Sequence, residues 1–198
     1  MTGSSARVLE AALERIAGVD EVGRGALFGP VVAAAVVLGD EAVQQLTAAG
    51  VRDSKQLRPA HRVKLAQHIR HLAWDCQVGM ASVHEIDRLN ILQASLLAME
   101  RAIRRLSPRP TLCLIDGKYL VPQLDIPQQA VIKGDQHHCA IASASIIAKV
   151  WRDTLIMRLD QHYPGYDLTA NKGYGSAKHR QALSQLGRSR QHRQSFRY

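Results

Sequence analysis

Four carboxylates fall where acidic side chains are costly. Asp20 and Glu21 interrupt an otherwise apolar run, AGVDEVGRGALFGPVVAAAVVL from Ala17 to Leu38, and Asp116 and Asp135 close two further apolar stretches, TLCLID and QAVIKGD. Charges in or beside buried strands are expensive unless they are paired, hydrogen-bonded or bound to a cation. Two readings of Asp20 and Glu21 stand side by side: a metal-binding site, or a strand end at which both groups are simply solvated. Successive side chains on a regular strand point to opposite faces. A shared site therefore needs the bend or bulge that Gly23, Gly25 and Gly29 permit. Asp116 stands at a strand exit, where α/β proteins place ligand sites, and so is a stronger candidate than Asp75 or Asp125 in connectors; Asp135 repeats the arrangement. Four such carboxylates could hold two Mg²⁺ or Mn²⁺ ions against a phosphate, one helping to generate hydroxide and the other stabilising the leaving oxygen. Carboxylates without a matched His/Cys set favour these hard ions over zinc.

Other chemistry-bearing residues carry weaker signals. Asp53, Ser54 and Lys55 could order a loop near a phosphate, or Ser54 could simply cap a helix. His137, His138 and Cys139 are adjacent, which does not make a chelating set. Cys76, Cys113 and Cys139 are odd in number and widely spaced, so reduced thiols are expected rather than a disulfide framework. Asp153 could orient a basic neighbour or tune the metal site, and a surface salt bridge is the simpler reading.

The elements that must position the carboxylates follow from periodicity. A short helix is expected over Val8–Ala17, then a strand over Val19–Val22 and a neighbouring strand over Val31–Leu38. Pro59 suits the first turn of a helix to Ala73, with Val63, Ala66, Ile69 and Ala73 as its apolar stripe. A strand over Cys76–Val83 leads into a charged connector from His84 and a helix after Asn90. Strands are expected over Thr111–Gly117 and Gln129–Lys133, then a long helix over Ala142–Leu159. Ser143 and Ser145 let that helix approach a sheet closely. The alternation of strands and helices predicts an α/β fold.

Charge narrows the partner. The formal net charge is +9, and no Asp or Glu follows Asp167, whereas Lys172, Lys178, Arg180, Arg188, Arg190, Arg193 and Arg197 supply seven positive charges. That field suits a polyanion, with nucleic acid ahead of an anionic membrane because the tail has few large apolar residues. No apolar run is long enough to span a bilayer and no secretory pattern opens the chain. A cytoplasmic location is the simplest expectation.

In order along the chain, GVDEVGRGALFGP, DSKQL, HEIDRLNI, LIDG, VIKGD, SASIIAKVWRD, KGYGSAKH and HRQSF resemble bacterial ribonuclease HII from Gly18 to Phe196. The resemblance implies a ribonuclease H-like mixed five-stranded sheet flanked by helices, with a small helical C-terminal region. It implies a catalytic core over residues 1–166 and a basic substrate-binding region over 167–198. The implied activity is cleavage of RNA in RNA/DNA hybrids and incision 5′ of single ribonucleotides in duplex DNA, leaving 3′-hydroxyl and 5′-phosphate ends. It assigns Mg²⁺ or Mn²⁺ coordination to Asp20, Glu21, Asp116 and Asp135. Gly23, Arg24 and Gly25 match the segment that senses the ribose 2′-hydroxyl, and Tyr174 matches a tyrosine that packs against the following sugar. Ala26 stands where the family commonly has proline after GRG, and Gly175 and Ser176 stand where it has proline and threonine. The intact GRG and the lack of a long N-terminal domain favour this type over ribonuclease HIII. A monomer is expected. The alternatives are a hybrid ribonuclease with little single-ribonucleotide preference, and a nonenzymatic nucleic-acid binder whose acidic residues are structural.

Overall fold

A computed structural model describes residues 15–51 and 57–197. Five strands form one mixed sheet: β1 (Ile16–Val22), β2 (Val31–Val37), β3 (Asp75–Ala81), β4 (Leu112–Asp116) and β5 (Gln128–Val131). Their order is β3-β2-β1-β4-β5. β2 is antiparallel to both β1 and β3, while β4 is parallel to β1 and β5 is parallel to β4. The helices are α1 (Asp40–Ala48), α2 (Pro59–Leu72), α3 (Val83–Leu89), α4 (Ile91–Ile103), α5 (Gly134–His137), α6 (Cys139–Asp160), α7 (Leu168–Asn171) and α8 (Ala177–Leu186). The expected mixed five-stranded sheet with flanking helices and a small helical C-terminal region is what the chain forms.

The apolar run VVAAAVV makes β2 a strand buried on both faces, as a central strand should be. Val31, Ala33, Ala35 and Val37 join a core with α4 residues Leu96, Met99 and Ile103. Ala34 and Val36 join a second core with α6 residues Ile146 and Ile147 and α2 residues Leu65 and Ile69. The period-2 alternation thus divides one apolar strand between two helical layers. α6, about 33 Å long at 1.5 Å per residue, lies across β1 and β2. A Cβ at Gly18 would stand 2.1 Å from the Ala140 carbonyl carbon, so only glycine lets this strand and helix come so close.

Several boundaries differ from the sequence reading. Ile16 and Ala17 are strand, with Ala17 paired to both Val37 and Cys113; the rest of the expected leading helix, Val8 to Glu14, lies outside the described residues. The buried face of α2 is Arg62, Leu65, Ala66 and Ile69, and Val63 is exposed, because the helix turns Arg62 inward to Asp153 and the Leu57 carbonyl. The charged stretch after Ser82 is helix α3, opened by a capping box between Ser82 and Glu85. β5 ends at Val131, and α6 begins at Cys139. All three cysteines are free. No helix among the described residues is long and apolar enough to cross a membrane.

Candidate active site

β1 and β4 run parallel, and their pairing ends at Val19 and Ile115. The next residues, Asp20 and Asp116, therefore stand together at the carboxyl ends of two adjacent strands. A cavity of about 470 Å³ opens there, lined by Asp20, Glu21, Val22, Asp116, Arg62, Ser145, Lys149 and Tyr174. The Asp20 carboxylate turns back to its own main chain and accepts the Glu21 N–H at 2.7 Å. Asp20 and Glu21 thus line one cavity although they are successive strand residues.

Asp135 reaches this region by another route. It belongs to the short helix α5, not to a strand end, because Lys133 adopts a left-handed conformation (φ 57°) that breaks the chain away from β5. The Gly134 N–H then donates to Asp116 Oδ1 at 2.7 Å. Asp135 is buried but is not one of the cavity-lining residues. Three of the four expected carboxylates share the cavity, and the fourth adjoins the residue that holds Asp116.

The cluster is electrostatically frustrated. Burial first, then the neighbouring charges of Glu21 and Asp116, push Asp20 well above the usual carboxylate range, against hydrogen bonds from Ser145 and the Glu21 backbone. Glu21 is also raised, chiefly by burial and further by Asp116, although Arg24 opposes this. Arg24 Nη1 meets Glu21 Oε1 at 3.1 Å, whereas the buried Glu21 Oε2 has no hydrogen-bond partner. A buried carboxylate oxygen left unsatisfied costs about 1–3 kcal/mol or more. Among the described residues, no three His, Cys, Asp or Glu side chains are already arranged as a metal-ligand group. The donor chemistry nevertheless fits a hard divalent cation: only carboxylate oxygens, mutually repelling, one of them orphaned.

Opposite the acidic strand ends stands a basic wall. Lys149 donates to Asp153 Oδ1 at 2.8 Å, and Arg62 lies 3.7 Å from Asp153 Oδ2. Asp153 is thus a salt-bridge partner, as its simplest reading had it, but a mostly buried one that pairs with two cavity-lining cations. An acidic floor beside a basic wall suits a cation and a phosphate held side by side.

The GRG segment adjoins this cavity through Tyr174. Ala26 and Tyr174 form an isolated antiparallel bridge, and the Gly173 carbonyl accepts from Leu27 N at 2.8 Å. Gly23 and Gly25 serve different ends. Gly23 has φ 91°, and a Cβ there would stand 2.2 Å from Arg152 Nε; beside Gly25 lies open space. Gly23 is needed by the protein's interior, while Gly25 leaves room at the surface for a ligand backbone. The exposed Arg24 side chain stands between them.

Two buried arginines hold the whole loop. Arg152 donates to the carbonyls of Pro30, Phe28 and Lys172, and Arg193 to those of Gly29, Arg24 and Gly23, all between 2.6 and 3.0 Å. Burial works against the charged form of both, and for Arg193 the Arg152 charge adds to it. The basic tail is therefore only partly available to a polyanion, since Arg193 is buried and Arg188 donates to the carbonyls of Arg193, Gln194 and Phe196. The Ser176 hydroxyl caps α8 by accepting His179 N.

Sequence reasoning did not single out Arg62, Lys149 or Arg152, and it counted Arg193 among the cations open to a polyanion, whereas Arg193 is buried against the carbonyls of Gly23, Arg24 and Gly29. Charged side chains on helices and tails read as surface, and only the spacing of Lys149 and Asp153 at i, i+4 carried a local signal. Asp53, Ser54 and Lys55 lie outside the described residues.

Comparisons with known proteins place the chain in a family. The ribonuclease HII family profile matches residues 17–198. A ribonuclease HII from Acaryochloris marina is 65% identical over 188 residues, covering 95% of each chain. Among solved structures, the ribonuclease HII of an Archaeoglobus fulgidus complex with PCNA superposes with a TM-score of 0.79 at 27% identity, covering 93% of this chain and 96% of that one. The ribonuclease H2 of Pyrococcus horikoshii OT3 gives 0.77 at 28%, covering 92% and 93%. By sequence along nearly its whole length and by fold, this chain belongs to the ribonuclease HII family.

Proposed function

We propose that this ribonuclease HII-type endoribonuclease, whose general substrate is an RNA/DNA hybrid, also incises 5′ of a single ribonucleotide embedded in duplex DNA. One observation carries the reading: Asp20, Glu21 and Asp116 share a cavity with Tyr174, and Tyr174 is bridged to Ala26, the residue that follows GRG. Chemistry and sugar recognition then occupy one place.

In this reading Asp20, Glu21, Asp116 and Asp135 hold Mg²⁺ or Mn²⁺. When bound, the ions supply Lewis acidity to the phosphate and lower the pKa of an attacking water. Gly25 admits the sugar-phosphate backbone, and the Gly23–Gly25 main chain faces the 2′-hydroxyl. Arg24 holds an adjacent phosphate, and the Tyr174 ring packs on the sugar that follows. Lys149 and Arg62, fixed by Asp153, hold phosphate oxygens against the basic wall. Hydrolysis leaves a 3′-hydroxyl and a 5′-phosphate with no covalent protein intermediate. The chain divides into a catalytic core over 1–166 and a substrate-binding region over 167–198, and acts as a monomer in the cytoplasm.

The test compares one duplex as all DNA, with one ribonucleotide, and with one 2′-O-methyl ribonucleotide, in Mg²⁺ and in Mn²⁺. The unmodified ribonucleotide duplex is expected to be cut at its 5′ side, and the other two left intact. Tyr174→Ala is expected to lose on the order of 100-fold in rate, the effect of a misplacement of about 1 Å. Equal cleavage of all three duplexes refutes hydroxyl-directed incision. Undiminished cleavage after chelation refutes the metal assignment.

A further inference from the structure

His179 and His192 are fully buried and face each other, Nε2 to Nε2, at 3.1 Å. Their outer nitrogens have unambiguous partners. His192 Nδ1 receives the Ser189 backbone N–H at 2.9 Å, with the Ser189 hydroxyl 2.8 Å away. A backbone N–H can only donate, so His192 Nδ1 carries no proton and its Nε2 carries one. At the other end, His179 Nδ1 lies 2.9 Å from the Tyr174 carbonyl oxygen. A carbonyl can only accept, so His179 is protonated on Nδ1 and bare on Nε2. The two assignments, made independently at the two ends, meet in the middle as one satisfied bond, His192 Nε2–H to His179 Nε2.

We propose that His179 and His192 are positioning residues for Tyr174, forming a proton-ordered relay that ties its main-chain carbonyl to the C-terminal loop at Ser189. The proposal rests on the reading of Tyr174 as the sugar-contacting residue. The Tyr174 ring has Lys149 Nζ and Arg152 Cζ at 5.7 and 5.5 Å from its centroid, and the backbone that carries it is held by the bridge to Ala26 and at its own carbonyl. The Tyr174 carbonyl accepts from Ser176 N at 2.8 Å as well as from His179. The histidines add a link from outside the local turn. The rings are fixed by Phe28 and Tyr166, which pack on His192 at 4.9 and 4.6 Å between centroids, and Tyr166 also packs on His179.

The relay has one proton per ring and no place for a third. Protonating His179 sets two N–H groups against each other at the centre, and protonating His192 on Nδ1 sets one against the Ser189 N–H. The charged groups around the pair are few: Asp167 favours a charge on His179, while Arg188 and His179 disfavour one on His192. Burial pushes both rings down, His192 to about 4. The pair therefore stays neutral at pH values where an exposed histidine is half-charged.

Two measurements test this. In ¹⁵N-histidine-labelled wild-type protein at pH 7, long-range ¹H–¹⁵N correlation is expected to show His179 as the Nδ1–H tautomer and His192 as the Nε2–H tautomer. Either ring charged, or either tautomer reversed, overturns the relay. Separately, the rate ratio between a one-ribonucleotide duplex and a continuous RNA/DNA hybrid is measured for His179→Leu, His179→Asn, Tyr174→Ala and the Tyr174→Ala/His179→Leu double variant. His179→Leu is expected to lower the ratio on the order of 10-fold, scaled from the cost of sub-ångström misplacement. His179→Asn, whose amide N–H can still reach the Tyr174 carbonyl, is expected to restore most of it. The double variant should fall no further than Tyr174→Ala alone. A lowered ratio in Tyr174→Ala with an unchanged one in His179→Leu overturns the positioning role alone. An unchanged ratio in Tyr174→Ala removes the reading of Tyr174 and the positioning role with it. If His179→Leu does not fold, His179→Asn and the tautomer measurement decide.

Discussion

Asp116 is the residue through which function and stability oppose each other. Its charge raises both Asp20 and Glu21, so ionising these neighbouring carboxylates together works against one another's field. The sign of the linkage follows. A carboxylate raised on folding binds its proton more tightly in the folded state, so stability falls as pH climbs from the ordinary carboxylate range through the raised values. Asp116→Asn keeps the shape and can still accept the Gly134 N–H, but it removes one charge. It is expected to abolish Mg²⁺-supported cleavage, to leave duplex binding largely intact, and to raise the melting temperature of the chelated protein at pH 7. A gain of about 1 kcal/mol would appear as about 2–4 °C at this chain length. Wild type should gain on addition of Mg²⁺, whereas the variant should gain much less. Near-normal cleavage would remove Asp116 from the catalytic set, and a lower melting temperature would show that its charge is stabilising.

Between residue and fold lies the loop over residues 23–30, gripped by Arg152 and Arg193. Each guanidinium satisfies three backbone carbonyls, which a lysine ammonium on a flexible stem cannot match in planar geometry. Arg193→Lys should lose about two charge-assisted bonds, on the order of 3 kcal/mol, and should lower duplex cleavage more than long-range binding. Urea unfolding and binding isotherms measure the two losses; a variant as stable as wild type would show the clamp to be dispensable. This clamp was the least legible part of the sequence. The two-sided burial of β2 and the strand exits at Asp116 were readable because apolar runs and their ends are local signals. The inward turn of Arg62 in α2, the helical turn that carries Asp135, and the buried roles of Arg152 and Arg193 were not. Each depends on a partner distant in the chain, as with Arg152 and Phe28 or Arg193 and Gly23. The docking of HRQSF is of the same kind: Asp87 accepts Gln194 N, Ser195 N and the Ser195 hydroxyl, which joins two motifs that sequence shows only as separate strings.

At the scale of the whole molecule, the +9 charge separates into cations that build the protein and cations that face outward. Composition alone counts seven in the C-terminal region as equal. The fold does not: Arg193 is buried, Arg188 is tied to three carbonyls, Lys172 donates to the Thr169 carbonyl, and Lys178, Arg180, Arg190 and Arg197 are exposed. Only the outward set can displace counterions from a duplex, at about 0.9 of a log–log salt-slope unit for each phosphate neutralised. Replacing Lys178, Arg180 and Arg190 together with glutamine should therefore reduce the salt slope of duplex binding by up to about three units, with little change in thermal stability. Replacing Arg193 alone should do the reverse, lowering stability while leaving the slope of the remaining folded protein close to wild type. Binding isotherms across a salt series, paired with thermal unfolding of the same samples, separate the two classes. An unchanged slope in the triple variant would move the duplex-binding surface away from α8 and the C-terminal loop. A slope lost with Arg193 alone would mean that the buried cation, although it reaches no solvent, sets the outward field of the GRG segment whose carbonyls it holds.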